Sequence, residues 1–226
     1  MKKVLIIIIS FVFSVSSFAQ HDVTKFLGFP VDGPKYEMVR NLESKGFKLT
    51  TLGDAEFLSG RFNGMDVHVY ISTENGKVSR IMVCDENTTD ERGIKIRFNK
   101  LCQQFNDNGK YLSLSDYTIP DDEDISYQTN INKKRYEAIF YQLPDEDALE
   151  KLQASVLQQA QSKYTPTQLE NPSDEIKAEL FSDVFNSLAN AVKNKPVWFM
   201  ISDLYGKYYI TMFYDNELNR AQGEDL

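Results

Sequence analysis

The spacing of apolar residues along the chain predicts an alternation of helices and strands. Met38, Val39 and Leu42 recur at helical spacing among charged residues, which predicts an amphipathic helix. Pro34 suits the first turn of this helix, because a proline there loses no intrahelical hydrogen bond. Gly46 suits the residue just past its end, where a left-handed conformation is common.

The glycine-containing entry to this helix, VDGPK at residues 31–35, is interpreted as helix punctuation. Asp32 or Gly33 is the expected N-cap, and Phe47 is expected to pack on Leu42 as in a Schellman motif. A phosphate-binding loop would need further glycines followed by a Lys-Ser or Lys-Thr pair, and this stretch has neither.

Period-two alternation predicts a meander of three strands at residues 55–62, 66–72 and 77–84, separated by Asn-Gly turns. A three-residue loop in the last hairpin is expected to place Val69 opposite Ile81, because that register gives one coherent apolar face.

The pattern of a helix followed by strands then recurs. A second helix is expected after a cap within residues 87–89 and ends near Asn108, with strands at 111–119 and 125–143. The apolar side of this helix consists of Ile94, Phe98, Leu101, Cys102 and Phe105. Residues 20–143 are therefore expected to form two helix-plus-meander units.

Residues 144–226 predict two helices and a hairpin. Asp145 opens a helix with an apolar repeat to about Lys163, and a connector at 165–173 leads to a second long helix that ends before Pro196. The fold class is expected to be α+β, with helices packed on antiparallel sheets in one compact domain.

Residues 1–19 have the composition of a secretory signal peptide. Two lysines precede a short apolar run, and small residues follow up to Ala19. The run is too short to span a bilayer comfortably, and no later stretch is long and apolar enough to do so. We therefore expect export to the periplasm or the extracellular space.

The chain is acidic, with a formal net charge of −8. Loss of Lys2 and Lys3 with the leader would lower this charge to −10. An acidic protein of this kind is not expected to bind nucleic acid or anionic lipid through its overall charge.

Two cysteines, Cys84 and Cys102, remain in a chain expected to enter an oxidising compartment. Their spacing is compatible with a disulfide, with two buried free thiols, or with a reactive thiol, although no neighbour in sequence would lower a thiol pKa.

Few residues in the sequence favour catalysis. His21 and His68 are the two histidines, and no nucleophile elbow, zinc-binding helix or paired-cysteine motif occurs. The acid run Asp121 to Asp124 lacks the alternating ligands and glycine of an EF-hand, so a solvated loop is favoured over a calcium site. We therefore predict no catalytic residue, metal or cofactor, although two carboxylates could still serve a hydrolase acting on a polysaccharide.

Two stretches carry a resemblance to known proteins. FLGFPVDG with LESKGF near the start, and GKYYITMFYDNELNRAQGEDL at the C-terminus, resemble uncharacterised secreted proteins of Bacteroides-type bacteria, which implies export and no particular chemistry. More distantly, the repeated helix and meander are similar in outline to the β-lactamase-inhibitor-protein-like fold and to small outer-membrane assembly lipoproteins. The chain lacks the lipidated cysteine of those lipoproteins.

The aromatic terminal hairpin is the candidate binding surface. Strand alternation must send about half of its aromatic side chains away from the core, where they could stack on a sugar or a protein. The candidate ligand-binding residues are Trp198, Tyr205, Tyr208, Tyr209 and Tyr214. The expected function is a secreted, non-catalytic binding module for an envelope protein or a glycan.

Overall fold

A computed structural model describes residues 22–53 and 55–220 of the chain. The predicted signal peptide, residues 1–19, lies outside this part. The helices are α1 (Lys35–Ser44), α2 (Glu91–Asp107), α3 (Ile125–Asn130), α4 (Glu146–Lys163), α5 (Pro166–Glu170) and α6 (Asp174–Val192). The strands are β1 (Lys25–Phe26), β2 (Phe29–Pro30), β3 (Lys48–Leu52), β4 (Ala55–Phe62), β5 (Met65–Glu74), β6 (Lys77–Asp85), β7 (Tyr111–Ser113), β8 (Glu137–Gln142), β9 (Pro196–Leu204) and β10 (Lys207–Asp215).

Eight of these strands form one antiparallel sheet in the order β3-β4-β5-β6-β10-β9-β8-β7, while β1 and β2 form a small hairpin of their own. Helices α1 and α2 pack on one face of the large sheet, and their apolar residues belong to its core. The predicted α+β class with antiparallel sheets is confirmed.

The large sheet contains two units of similar construction. In the first, α1 is followed by the meander β3 to β6; in the second, α2 is followed by β7 and β8 and then by β9 and β10. The last strands of the two units, β6 and β10, pair at the centre of the sheet. The hairpin expected within residues 144–226 thus supplies half of the second meander.

Helix α1 ends in the predicted Schellman motif. Gly46 has a φ of 93°, and its N–H donates to the Glu43 carbonyl, while the Phe47 N–H donates to the Leu42 carbonyl. Pro34 is itself the N-cap residue and makes no side-chain cap, so the expectation that Asp32 or Gly33 caps this helix was wrong.

The predicted register of the β5–β6 hairpin was also wrong. Val69 pairs with Val83, and Ile71 pairs with Ile81. The turn is the two-residue loop Asn75-Gly76, both with positive φ, and an irregularity beside Ser72 and Thr73 shifts the pairing by one residue. The bulge restores the apolar face that a longer loop was expected to provide.

Residues 125–130 form α3 and not the expected strand. The Asp124 side chain caps this helix by accepting a hydrogen bond from the Tyr127 N–H. In the same way Asp90 caps α2 through the Gly93 N–H, in place of the residues expected within 87–89. Each cap is formed by residues close in sequence, but several residues near each helix start could serve as the N-cap, so the sequence alone did not single out Asp90 or Asp124.

Helices α4 to α6, residues 146–192, form an arm inserted between β8 and β9. Asp145 caps α4 as predicted, and α4 ends at Lys163. The connector contains the unpredicted α5, whose Thr165 and Gln168 form a capping box. None of the helices in the described ranges combines the length and apolarity needed to cross a membrane.

Gly60 of β4 allows the close approach of Phe47 to the sheet. A Cβ atom at Gly60 would lie 2.5 Å from Cδ1 of the buried Phe47 ring. We predict that Gly60→Ala lowers the free energy of unfolding by about 2 kcal/mol, because the added methyl overpacks the core. Urea denaturation measures this, with Gly109→Ala as the control, since a Cβ at Gly109 would meet no atom within 4 Å. Equal stability of the two variants would contradict the prediction.

Candidate functional site

The face of the large sheet opposite α1 and α2, here called the open face, carries a row of large side chains across six strands. Register pairs join neighbours in this row from β8 to β5, and the Phe57 ring of β4 lies 5.7 Å from the Tyr70 ring. In order, the row is Ile139, Trp198, Phe213, Met82, Tyr70 and Phe57. Six strands at a spacing of about 4.8 Å make it about 24 Å long.

Trp198 and Phe213 form the centre of this row. Their rings are stacked, with centroids 4.0 Å apart and an interplanar angle of 17°. The Arg80 guanidinium lies 4.8 Å from the Phe213 centroid and 5.7 Å from that of Trp198. Cross-strand aromatic pairing and the cation–π contact both favour this arrangement.

Asp215 holds Trp198 and Arg80 in place. Its Oδ1 accepts from Arg80 Nε at 2.5 Å, and its Oδ2 accepts from Arg80 Nη2 at 2.8 Å and from the Trp198 indole at 2.9 Å. Asp215 is only 1% exposed, and these donors compensate the charge of its buried carboxylate. The carboxylate is thereby committed to structure and is not available as a general base.

A depression of about 500 Å³ opens on the same face, above Trp198 and Arg80. Tyr141 and Ile139 of β8 form one side, and the end of the arm at Lys193 forms part of its rim. The depression and the row are therefore one continuous surface.

The candidate residues of the terminal hairpin divide between the two faces. Trp198 and Tyr209 are half-buried on the open face, and Tyr205 is 97% exposed at the hairpin turn. Tyr208 and Tyr214 are buried on the helix face; the Tyr208 hydroxyl bonds to Ser126 at 2.7 Å. Burial also raises the pKa of Tyr214 well above its usual value. Tyr208 and Tyr214 are therefore core residues, out of reach of a ligand on the open face.

Five members of the row were not among the candidate residues: Ile139, Phe213, Met82, Tyr70 and Phe57. Tyr70 and Met82 are register partners in the β5–β6 hairpin and so share a face. Nothing in the sequence indicated that this face continues into that of Trp198, because the pairing of β6 with β10 joins residues more than a hundred positions apart.

His68 belongs to the next row of the open face, with Cys84 and Ser59 as its register neighbours. Its ring packs against Phe57 with centroids 4.5 Å apart, and its Nε2 lies 3.9 Å from Glu86. His68 thus contributes packing and a weak polar contact to the open face.

The acid run Asp121 to Asp124 is organised by side chains of the protein itself. The Lys95 ammonium donates to the carbonyls of Asp121 at 2.7 Å and Glu123 at 2.6 Å. Glu123 also pairs with Lys134. The Lys95 ammonium therefore occupies loop oxygens that a calcium ion would need as ligands.

The described residues contain no group of three or more His, Cys, Asp or Glu side chains placed to hold a metal ion. The carboxyls with a shifted pKa are Glu91, Asp116, Glu123 and Asp145, and each pKa is lowered, chiefly by hydrogen bonds from Ser126, Thr118, Lys134 and Lys25 respectively. A general acid needs the opposite shift to stay protonated near neutral pH.

A second and larger cavity, of about 1360 Å³, lies where the arm joins the body and is here called the base groove. Lys195, only 1% exposed, donates to Asp22 at 2.5 Å and to the Leu143 carbonyl. Leu149 of α4 and Leu188 of α6 line the arm side of the groove. The charge of Lys195 is thus compensated within the protein.

Cys84 and Cys102 are both free thiols. Cys102 belongs to the core beneath α2, whereas Cys84 lies on the open face beside Thr211. The sheet separates them, so the disulfide compatible with their spacing in sequence is not formed. Burial raises the pKa of Cys84, and it raises the pKa of Cys102 to about 12.

Comparison of the chain with protein-family models, with curated proteins and with solved structures gives no match.

Removal of the Asp215 carboxylate should destabilise the fold. We predict that Asp215→Ala costs about 3 kcal/mol of unfolding free energy, because it leaves a partly buried guanidinium and the indole N–H without their acceptor. Urea denaturation measures the loss. The control is Lys177→Gln, which breaks the exposed Asp174–Lys177 pair and should change stability by about 0.5 kcal/mol or less. A loss below about 1 kcal/mol for Asp215→Ala would count against the network.

Both thiols should resist modification in the native state. At pH 8 a raised pKa leaves little of the reactive thiolate, and Cys102 is in addition only 1% exposed. Titration with a thiol reagent should therefore find slow or no labelling of the native protein. It should find two thiols per chain after unfolding without reductant. A count of zero in the unfolded protein would show that the pair is oxidised.

Proposed function

We propose that this protein is a secreted, non-catalytic binding module whose open face docks onto another envelope protein. The observation that carries the proposal is the row of large side chains across six strands, centred on the Trp198–Phe213 stack. Side chains of this kind are enriched in the centres of protein interfaces, and they are held rigidly here, which lowers the entropic cost of binding.

A protein partner fits the open face better than a glycan does. A sugar site needs free hydrogen-bonding groups beside its aromatic platform. On the open face the Trp198 indole and Arg80 donate to Asp215, and the Ser202 hydroxyl bonds to Thr211 at 2.8 Å. Because these polar groups satisfy one another, the centre of the open face offers mainly apolar area to a partner.

The alternative proposal is a carboxylate-dependent hydrolase acting on a polysaccharide. Such an enzyme needs one carboxyl with a raised pKa near a second carboxylate. The carboxyls with shifted pKa values in the described ranges are all lowered, and Asp215 on the open face is occupied by its donors. These observations favour binding over hydrolysis.

The proposed location is the periplasm or the extracellular space. Support comes from the leader-like composition of residues 1–19. The resemblance to secreted Bacteroides-type proteins stays a prediction of the sequence.

The binding proposal is tested by photo-crosslinking in the organism's own envelope extract. A photoreactive amino acid replaces Tyr209 on the open face or, as the matched control, Tyr205 at the hairpin turn. We expect a defined protein adduct from position 209 and none from position 205. The affinity of the adduct partner is then measured for purified variants: Tyr70→Ala with Tyr209→Ala should weaken binding about tenfold or more, and Tyr205→Ala should leave it unchanged.

Other outcomes decide against the proposal. If a glycan array run in parallel shows sugar binding that the Tyr70→Ala, Tyr209→Ala variant loses, the open face is a glycan site. If neither experiment yields a ligand, or if the variant binds as well as the wild type while remaining folded, the open face is not the docking surface.

A further inference from the structure

The arm carries an apolar surface that the rest of the described chain leaves uncovered. In α4 and α6 only Ala160 and Val192 are buried. The side of α6 that meets α4 carries Asp183, whose carboxylate pairs with Lys163 of α4. Ile176 and Leu180 are half-buried. This pairing uses one side of α6, but the apolar residues of α6 extend over a second side.

The second side of α6 is a stripe formed by Phe181, Val184, Phe185 and Leu188, here called the α6 stripe. The spacing i, i+3, i+4, i+7 puts these residues on one face, over about 10 Å of helix. Phe181, Val184 and Phe185 are 73%, 49% and 53% exposed, and the two phenylalanine rings are stacked with centroids 6.5 Å apart. Leu188 lies at the mouth of the base groove.

The surroundings of the stripe suit close contact with another helix. Ala178 and Ala189 border one side of the stripe on the helical wheel, and small residues there let two helix axes approach closely. The charges nearest its N-terminal end are already paired with each other: Asp174 with Lys177 at 2.8 Å. A partner therefore needs no net charge of its own, which a second copy of the same helix satisfies.

We propose that α6 packs antiparallel against α6 of a second copy of this chain, about a two-fold axis between Val184 and Phe185, so that the two arms form a four-helix bundle. In this register Phe181 of each copy faces Leu188 of the other, and Val184 faces Phe185. Each contact is repeated by the symmetry, as an isologous interface requires. The larger phenylalanine always meets a smaller aliphatic residue, so the two stripes are complementary in volume, and the helix dipoles are antiparallel.

The area of the stripe sets the strength of this association. A phenylalanine side chain offers about 200 Å², so the exposed fractions of Phe181 and Phe185 alone leave about 250 Å² of apolar surface per copy. Both copies together bury about 500 Å² from these residues, and the valine, leucine and alanine neighbours add to it. This area lies below the roughly 1,200 Å² of standard interfaces, in the range of weak and transient ones, which predicts a reversible dimer with a dissociation constant on the order of tens of micromolar.

Sedimentation equilibrium of the purified protein from about 1 to 200 μM tests the proposal, since this range brackets a constant of tens of micromolar. We expect the wild-type mass to rise from that of a monomer to that of a dimer. Phe185→Asp places two like charges beside the axis and should keep the protein monomeric throughout. The matched control, Asn186→Asp, adds the same charge one residue further along α6 but off the stripe, and should dimerise as the wild type does.

Each outcome decides the matter. Phe185 is more than half exposed, so Phe185→Asp should fold, and circular dichroism verifies this. A wild type that stays monomeric at 200 μM overturns the proposal. So does a folded Phe185→Asp variant that still dimerises, because the interface then lies elsewhere. Loss of dimerisation in both aspartate variants would show an effect of net charge and would also reject the α6 stripe as the interface.

Discussion

The pairing of β6 with β10 is the contact on which the rest of the structure depends. Each strand ends a four-stranded meander, and their antiparallel register joins the two meanders into one sheet of eight strands. The same register sets Phe213 beside Met82 and Asp215 beside Arg80. Without this pairing, β6 and β10 would each be an unpaired edge strand of its own meander. The row across the open face would then be divided into two shorter pieces.

The two faces of this sheet are used differently. On one face, α1 and α2 bury apolar residues from every strand of the sheet centre, with ring contacts such as that of Phe98 and Phe199 at 5.0 Å. On the other face, the large side chains of the row pack against one another: Phe57 and Phe213 are 8% and 9% exposed, and the other four are half-buried. The buried Asp215 stabilises that second face. Its carboxylate fixes the Trp198 indole and the Arg80 guanidinium, which α1 and α2 do not cover.

The arm adds a second surface without disturbing the first. It enters between β8 and β9, which still pair as neighbours, so the sheet accepts an insertion of three helices at one end. The arm contributes Lys193 to the rim of the open-face depression and Leu188 to the base groove. In the proposed dimer the α6 stripes would be covered.

The sequence by itself determined the features that depend on residues near one another in the chain. These include the Schellman ending of α1, the bounds of α4, the apolar side of α2 and the existence of an aromatic terminal hairpin, because caps and periodicity act over a few residues. The α+β class also followed from such local patterns. They did not identify α3, since a short polar segment shows too little periodicity to separate a helix from a strand.

Only the tertiary structure decided which surfaces exist. The bulge that sets the β5–β6 register, the separation of Cys84 from Cys102 by the sheet and the burial of Tyr208 and Tyr214 all depend on contacts between distant segments. The open-face row joins residues from three strands of the first meander and three of the second. The α6 stripe is exposed because α4 covers only one side of its helix. Periodicity shows that a residue is apolar and which neighbours share its face, but the face that remains in contact with solvent is chosen by packing between elements far apart in the chain.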